Sequence, residues 1–228
     1  MAEEPIPRSE AKSASPPSEG VWATLWKRLQ ERRWTSILTI GLVVIVVGWV
    51  AFREYRNAKN EECIELMRFA EAYFRQDSFE KAIKGTIGAP GFEQLVEEYG
   101  WTPAGNLCRL YLGLCYLKTR QVGPAIEVLS AYEPPDSYLG GAAYAALAGA
   151  YAENKEFEKA ARYYEKAASI HRNSQTSPPY LIQGALAYEL AKKPQKAEKL
   201  YKRLLEEYPL SNEANTAQKH LERLRFTP

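Results

Sequence analysis

Enzymatic chemistry needs a nucleophile beside a base, a set of metal ligands, or a loop that cradles phosphate. The sequence holds two histidines, His171 and His220, and neither has a Cys or a second His at ligand spacing. That pattern argues against a zinc centre. No Gly-x-Ser-x-Gly elbow, Walker loop or Gly-x-Gly-x-x-Gly turn occurs. Ser174 and Ser177 lie in a turn-forming stretch without a recognisable base. The pairs Glu97-Glu98 and Glu206-Glu207 are neighbours in sequence, so on a helix their carboxylates diverge and serve solvation and i,i+4 pairing. The three cysteines, Cys63, Cys108 and Cys115, are an odd number, which argues against a disulfide framework. Cys108 and Cys115 on one helix would stand about 10 Å apart by the helical rise, beyond disulfide reach. All three read as small buried hydrophobes. These residues predict a non-enzymatic chain with no cofactor and no metal.

The composition fits a chain that binds rather than reacts. Apolar residues make up 46% and charged residues 25% of the 228, and the formal net charge is +2. No single-sign field is present to recruit nucleic acid. Residues 1–20, with Pro5, Pro7, Pro16 and Pro17 among Ser, Glu and Ala, predict a disordered tail. Over 21–33, Trp22, Leu25, Trp26 and Leu29 recur at helical spacing beside Lys27, Arg28, Arg32 and Arg33. That is the pattern of an interfacial helix, with indoles at headgroup level and cations at lipid phosphates.

From Trp34 to Phe52 no residue is charged, and ten of the 19 are Ile, Leu or Val. By the helical rise the segment reaches about 28 Å, close to the thickness of a hydrocarbon core. Trp34 and Trp49 fall near its two ends, where aromatic belts form. A cleaved signal peptide competes with this reading, but its apolar region is shorter and ends in small residues. An uncleaved transmembrane helix over 34–52 is therefore predicted, with Gly41 and Gly48 on one face able to seat a partner helix. Four cations flank each side, and the tight N-terminal cluster favours an N-terminus inside.

The rest of the chain, 53–228, carries an internal repeat. Tyr73, Tyr116, Tyr151 and Tyr188 are 43, 35 and 37 residues apart. Each is preceded three residues earlier by a small residue: Ala70, Gly113, Ala148 and Ala185. Each is followed nine residues later by Ala82, Ala125, Ala160 or Ala197. A period near 34 with small-x-x-Tyr-x₈-Ala is the tetratricopeptide pattern. Each copy predicts two antiparallel helices that approach closely at the small residues, and copies stack because one pair cannot bury its apolar face alone. The breaks at Asp77-Ser78, Gln121-Val122-Gly123 and Glu153-Asn154-Lys155 suit the turns within pairs. Gly85 to Thr102 reads as an insertion with a short helix over Phe92 to Tyr99, and Asn212 to Arg225 as a capping helix. The predicted fold is all-α: a transmembrane helix, then about four tetratricopeptide repeats and a cap.

Such a solenoid binds through the first helices of its pairs. Their inward positions are Leu110, Leu114 and Leu117 in repeat two, and Ala142, Ala145 and Gly149 in repeat three. In repeat four they are Ile182, Leu186 and Glu189. They are small and apolar rather than basic, so apolar contacts with a partner or an unfolded segment are expected. The alternative is that several of them only pack against neighbouring helices. The fifteen tyrosines read mainly as core.

The order of segments also resembles a family. After the apolar run come Phe-Arg-x-Tyr and Glu-Glu-Tyr-Gly-Trp-Thr-Pro-Ala-Gly-Asn-Leu-Cys-Arg (97–109). Later come Tyr-Glu-Lys-Ala-Ala (164–168), Ser-Pro-Pro-Tyr-Leu (177–181) and Leu-Glu-Glu-Tyr-Pro-Leu-Ser (205–211). This resembles the YfgM-like ancillary subunits of the bacterial Sec translocon over roughly residues 30–226. The resemblance implies an inner-membrane protein with a cytoplasmic N-terminus and a periplasmic repeat domain. Its implied partners are the SecYEG translocon, a PpiD-like periplasmic chaperone and nascent exported proteins. Two departures stand out: the Pro-rich tail, and Thr86 where the first repeat lacks an aromatic. The competing readings are a cytosol-facing receptor and an architectural subunit of another envelope complex.

Overall fold

In a computed structural model the described residues are 19–134, 138–170 and 172–226, with 21–35 described by backbone alone. Residues 1–18 of the predicted tail over 1–20, the side chains of Trp22, Trp26, Lys27, Arg28, Arg32, Arg33 and Trp34, and His171 lie outside them, and Glu19 and Gly20 are helical. The chain divides into two units, 1–55 and 56–228.

In the first unit the described backbone is helical from Glu19 onward, part of helix α1 (Glu19–Arg75). No break separates 21–33 from 34–52, and both are helical. The reason is local: no Gly or Pro stands between them to interrupt backbone pairing. Leu38, Ile45 and Trp49 are 69%, 68% and 60% exposed, and nothing lies where a Cβ would stand at Gly41 or Gly48. One hydroxyl in this apolar stretch is satisfied internally, Thr39 Oγ1 donating to the Ser36 carbonyl at 2.9 Å. By length and composition this is one helix able to cross a membrane, with mean hydropathy 2.2 over its most apolar window.

The second unit takes up α1 from Arg56 and continues with α2 (Phe79–Lys84), α3 (Phe92–Tyr99), α4 (Pro103–Lys118) and α5 (Val122–Ser130). Then follow α6 (Tyr138–Glu153), α7 (Phe157–Ile170), α8 (Ser177–Leu190), α9 (Pro194–Glu207) and α10 (Ala214–Phe226). Between α2 and α3 the chain makes a two-residue hairpin, β1 (Gly85–Thr86) against β2 (Ala89–Pro90), antiparallel. This is the insertion expected from sequence, and it splits the second helix of repeat one. Gly85 and Gly91 permit the split, because a Cβ on Gly85 would stand 2.4 Å from the Ala89 carbonyl oxygen and one on Gly91 2.2 Å from that of Ile83.

Every helix pair turns in the same way. Asp77, Arg120, Lys155 and Lys192 have φ of 53°, 63°, 61° and 56°, each four residues after a repeat tyrosine. The next amide reaches back to the tyrosine carbonyl: Ser78 to Tyr73 at 3.0 Å, Gln121 to Tyr116 at 2.8 Å, Glu156 to Tyr151 and Lys193 to Tyr188 at 2.9 Å. These are Schellman caps, which satisfy the last carbonyls of the first helix and aim the chain into the second. The repeat alanine then sits in the first turn of that second helix, fully buried in all four copies.

Two apolar clusters result. One joins Cys63, Met67, Ile83, Phe92, Leu95 and Cys108; the other runs from Leu110 and Leu129 to Leu221. Leu107 and Leu117 pack against both. Burial is therefore passed from neighbour to neighbour, the arrangement of a solenoid. The cap α10 closes the far end with Ala214, Ala217 and Leu221.

Candidate interaction surface

The proposed groove residues separate into three groups. Leu114 and Leu117 on α4, Ala145 and Gly149 on α6, and Leu186 on α8 are half-buried and keep part of their surface open. Leu110 and Ile182 are 4% and 8% exposed, so they are core residues rather than groove lining. Both belong to the apolar cluster that runs from Leu110 to Leu221. Glu189 is also committed internally. Its carboxylate accepts from Tyr201 Oη at 2.6 Å, lies 3.2 Å from His220 Nδ1 and pairs with Arg223. It therefore ties α8 and α9 to the cap rather than lining a groove.

The tyrosines do more than fill space. Tyr116 Oη donates to Glu93 Oε1 and Tyr188 Oη to Glu165 Oε2, each at 2.6 Å and each across 23 residues. In both cases the first helix of one repeat is clasped to the second helix of the repeat before it. Tyr151 finds Val128 at the same offset and instead stacks on Tyr163, centroids 5.3 Å apart, with the Lys159 ammonium 5.1 Å above its ring. Burial and the neighbouring carboxylates push the Tyr116, Tyr188 and Tyr201 hydroxyls well up, and Tyr99 to about 12, so all remain donors. Glu93 is drawn down: burial opposes its charge, but the Lys84 ammonium and the Tyr116 hydroxyl prevail. The partner carboxylates Glu93 and Glu165 were missed in the sequence; their only signal is the fixed offset from the tyrosine.

The stretch 99–109 proves to be a joint. Thr102 caps α4 by accepting from the Gly105 amide at 3.0 Å, and Pro103 begins the helix. A Cβ on Gly105 would stand 1.8 Å from the Tyr99 carbonyl oxygen. Arg109 donates to the Gly100 carbonyl at 2.5 Å, and Asn106 exchanges two bonds with the Glu133 backbone. Tyr99 Oη reaches Glu62 at 2.8 Å, and the Ala104 amide reaches Asn60 at 2.8 Å. The motif is thus an anchorage for the end of α1.

Of the residues weighed for chemistry, Ser177 and His220 are engaged within the fold. Ser177 Oγ donates to the Ala168 carbonyl and accepts from the Asn173 amide, both at 3.1 Å. His220 stacks on Tyr201 at 5.4 Å. Among the described residues no group of His, Cys, Asp and Glu could hold a metal ion.

The tetratricopeptide repeat family matches residues 180–211, which span most of α8, all of α9 and the turn beyond. No protein of curated function matches the chain. Among solved structures, the nearly identical TPR-like repeats of a Podosopora anserina kinesin light chain align at TM-score 0.55 and 19% identity, over 72% of this chain and 86% of that one. A glutamine-to-methionine variant of the same protein aligns at TM-score 0.54 and 18% identity, over 72% and 85%. Unit 56–228 is a tetratricopeptide-type solenoid. Repeats of this kind are typically non-catalytic scaffolds for protein interaction.

Proposed function

We propose that this chain is a membrane-tethered interaction scaffold of the bacterial envelope, attached to the Sec translocon and acting with a PpiD-like chaperone on newly exported proteins. The observation that carries the scaffold reading is the run of helix pairs with open apolar surface at Leu114, Leu117, Ala145, Gly149 and Leu186. The tether is supported by the uncovered aliphatic surface of Ile37 to Phe52. An exposed apolar surface of that extent is costly in water and favourable in lipid. The translocon and chaperone as partners, the periplasmic side and the cytoplasmic N-terminus rest on the resemblance of residues 97–109 and 205–211 to the YfgM-like subunits. Trp22, Trp26, Lys27, Arg28, Arg32 and Arg33 are proposed to meet headgroups, with Trp34 and Trp49 marking the two interfaces.

Affinity purification of the full chain from membranes in mild detergent tests this reading. SecYEG and a PpiD-like chaperone should co-purify. Their absence, with a different envelope complex recovered in their place, would favour the architectural reading. Protease added to intact spheroplasts should digest the repeat unit; protection there would place it in the cytosol.

A further inference from the structure

Two thiols from distant parts of the sequence meet in the core of unit 56–228. Cys63 Sγ on α1 lies 4.0 Å from Cys108 Sγ on α4, and both residues are fully buried. The helices are tied beside the contact. One turn before each cysteine, Asn60 Oδ1 accepts from the Ala104 amide at 2.8 Å, and Glu62, next to Cys63, accepts from Tyr99 Oη on α3 at 2.8 Å. Cys115 lies two turns further along α4, in the same apolar cluster but outside this contact.

We propose that Cys63 and Cys108 are a disulfide-forming pair, a covalent clasp that locks the end of α1 to repeat two when the chain meets a disulfide oxidant. The sulfurs need to close by about 2 Å to reach bonding distance, a movement within the reach of side-chain torsion. Cys63 lies on α1, the helix that must leave the core, and meets the oxidant first. Its thiolate attacks the oxidant disulfide, forming a mixed disulfide and releasing one thiol. Cys108 then loses its proton, attacks the Cys63 sulfur and releases the second thiol. Two protein thiols are oxidised and one oxidant disulfide is reduced. Both sulfurs are closed to solvent in the packed state, so exchange requires α1 to undock. The pair spans 45 residues, a loop long enough for closure to restrict the unfolded chain strongly. The clasp does not depend on the translocon reading.

The test uses full-length protein in mild detergent, held a few degrees below its melting temperature in glutathione buffers of rising oxidised share. Trapping with maleimide under denaturing conditions, then peptide mapping, reads the thiols. The expected result is loss of two thiols together, a Cys63–Cys108 linked peptide and a free Cys115, with a melting temperature several degrees above the reduced form. Cys63→Ser should abolish both the link and the shift, and Cys115→Ala should keep both. Three persistent thiols, a link through Cys115, or glutathione adducts on Cys63 and Cys108 in place of the link would overturn the proposal, and the Cys115→Ala variant decides it even if Cys63→Ser fails to fold.

Discussion

At the scale of single residues, the left-handed turn positions are occupied by side chains that do not favour them. Lys192 at φ 56° is one of four. A non-glycine residue there costs about 1 kcal/mol, so Lys192→Gly should stabilise the unit by about that amount and raise its melting temperature by about 2–4 °C. Gly113 is the opposite case, because a Cβ there would stand 2.4 Å from Leu129 Cγ. Gly113→Ala should therefore cost about 1–3 kcal/mol in thermal or urea unfolding. The tyrosine clasps make a third expectation. Tyr188→Phe removes the bond to Glu165 and should cost about 1–2 kcal/mol. They also fix the sign of the alkaline response. Tyr99 ionises at about 12 in the folded protein, above its usual value near 10, so its contribution is intact below pH ~10 and lost as pH rises towards 12. Absorbance at 295 nm should show Tyr99, Tyr116, Tyr188 and Tyr201 ionising together with unfolding. Independent ionisation near pH 10 would mean that they face water.

At the scale of elements, the capped joint before α4 is the most sensitive point. Thr102→Ala removes the side-chain acceptor for the Gly105 amide at a buried helix start and should cost about 1–2 kcal/mol, measured by chemical denaturation. Much of this scale was legible in the sequence. The Tyr/Ala spacing marked the helix pairs, because packing demands small residues where helices cross. The insertion was legible too, since Gly85, Gly88, Pro90 and Gly91 break a helix. Its strand pairing was not, because two residues carry no periodicity. Nor was the burial of Leu110 and Ile182: which side of a first helix stays open depends on how neighbouring repeats rotate, and spacing within one repeat does not fix that. The approach of Cys63 to Cys108, and of Glu189 to the cap, depends on the same long-range packing.

At the scale of the whole molecule, the chain joins a helix whose apolar side chains from Ile37 to Phe52 are exposed to a unit whose apolar surface is mostly covered by its own helices. What stays open on that unit, at Leu114, Leu117, Ala145, Gly149 and Leu186, is the basis for assigning it a partner. The most direct measurement is photocrosslinking in native membranes from a benzoylphenylalanine placed in turn at Leu114 and Leu186. The account predicts discrete adducts at both positions, among them SecYEG, a PpiD-like chaperone or exported chains. Intact, folded protein that yields no adduct from either position would contradict it.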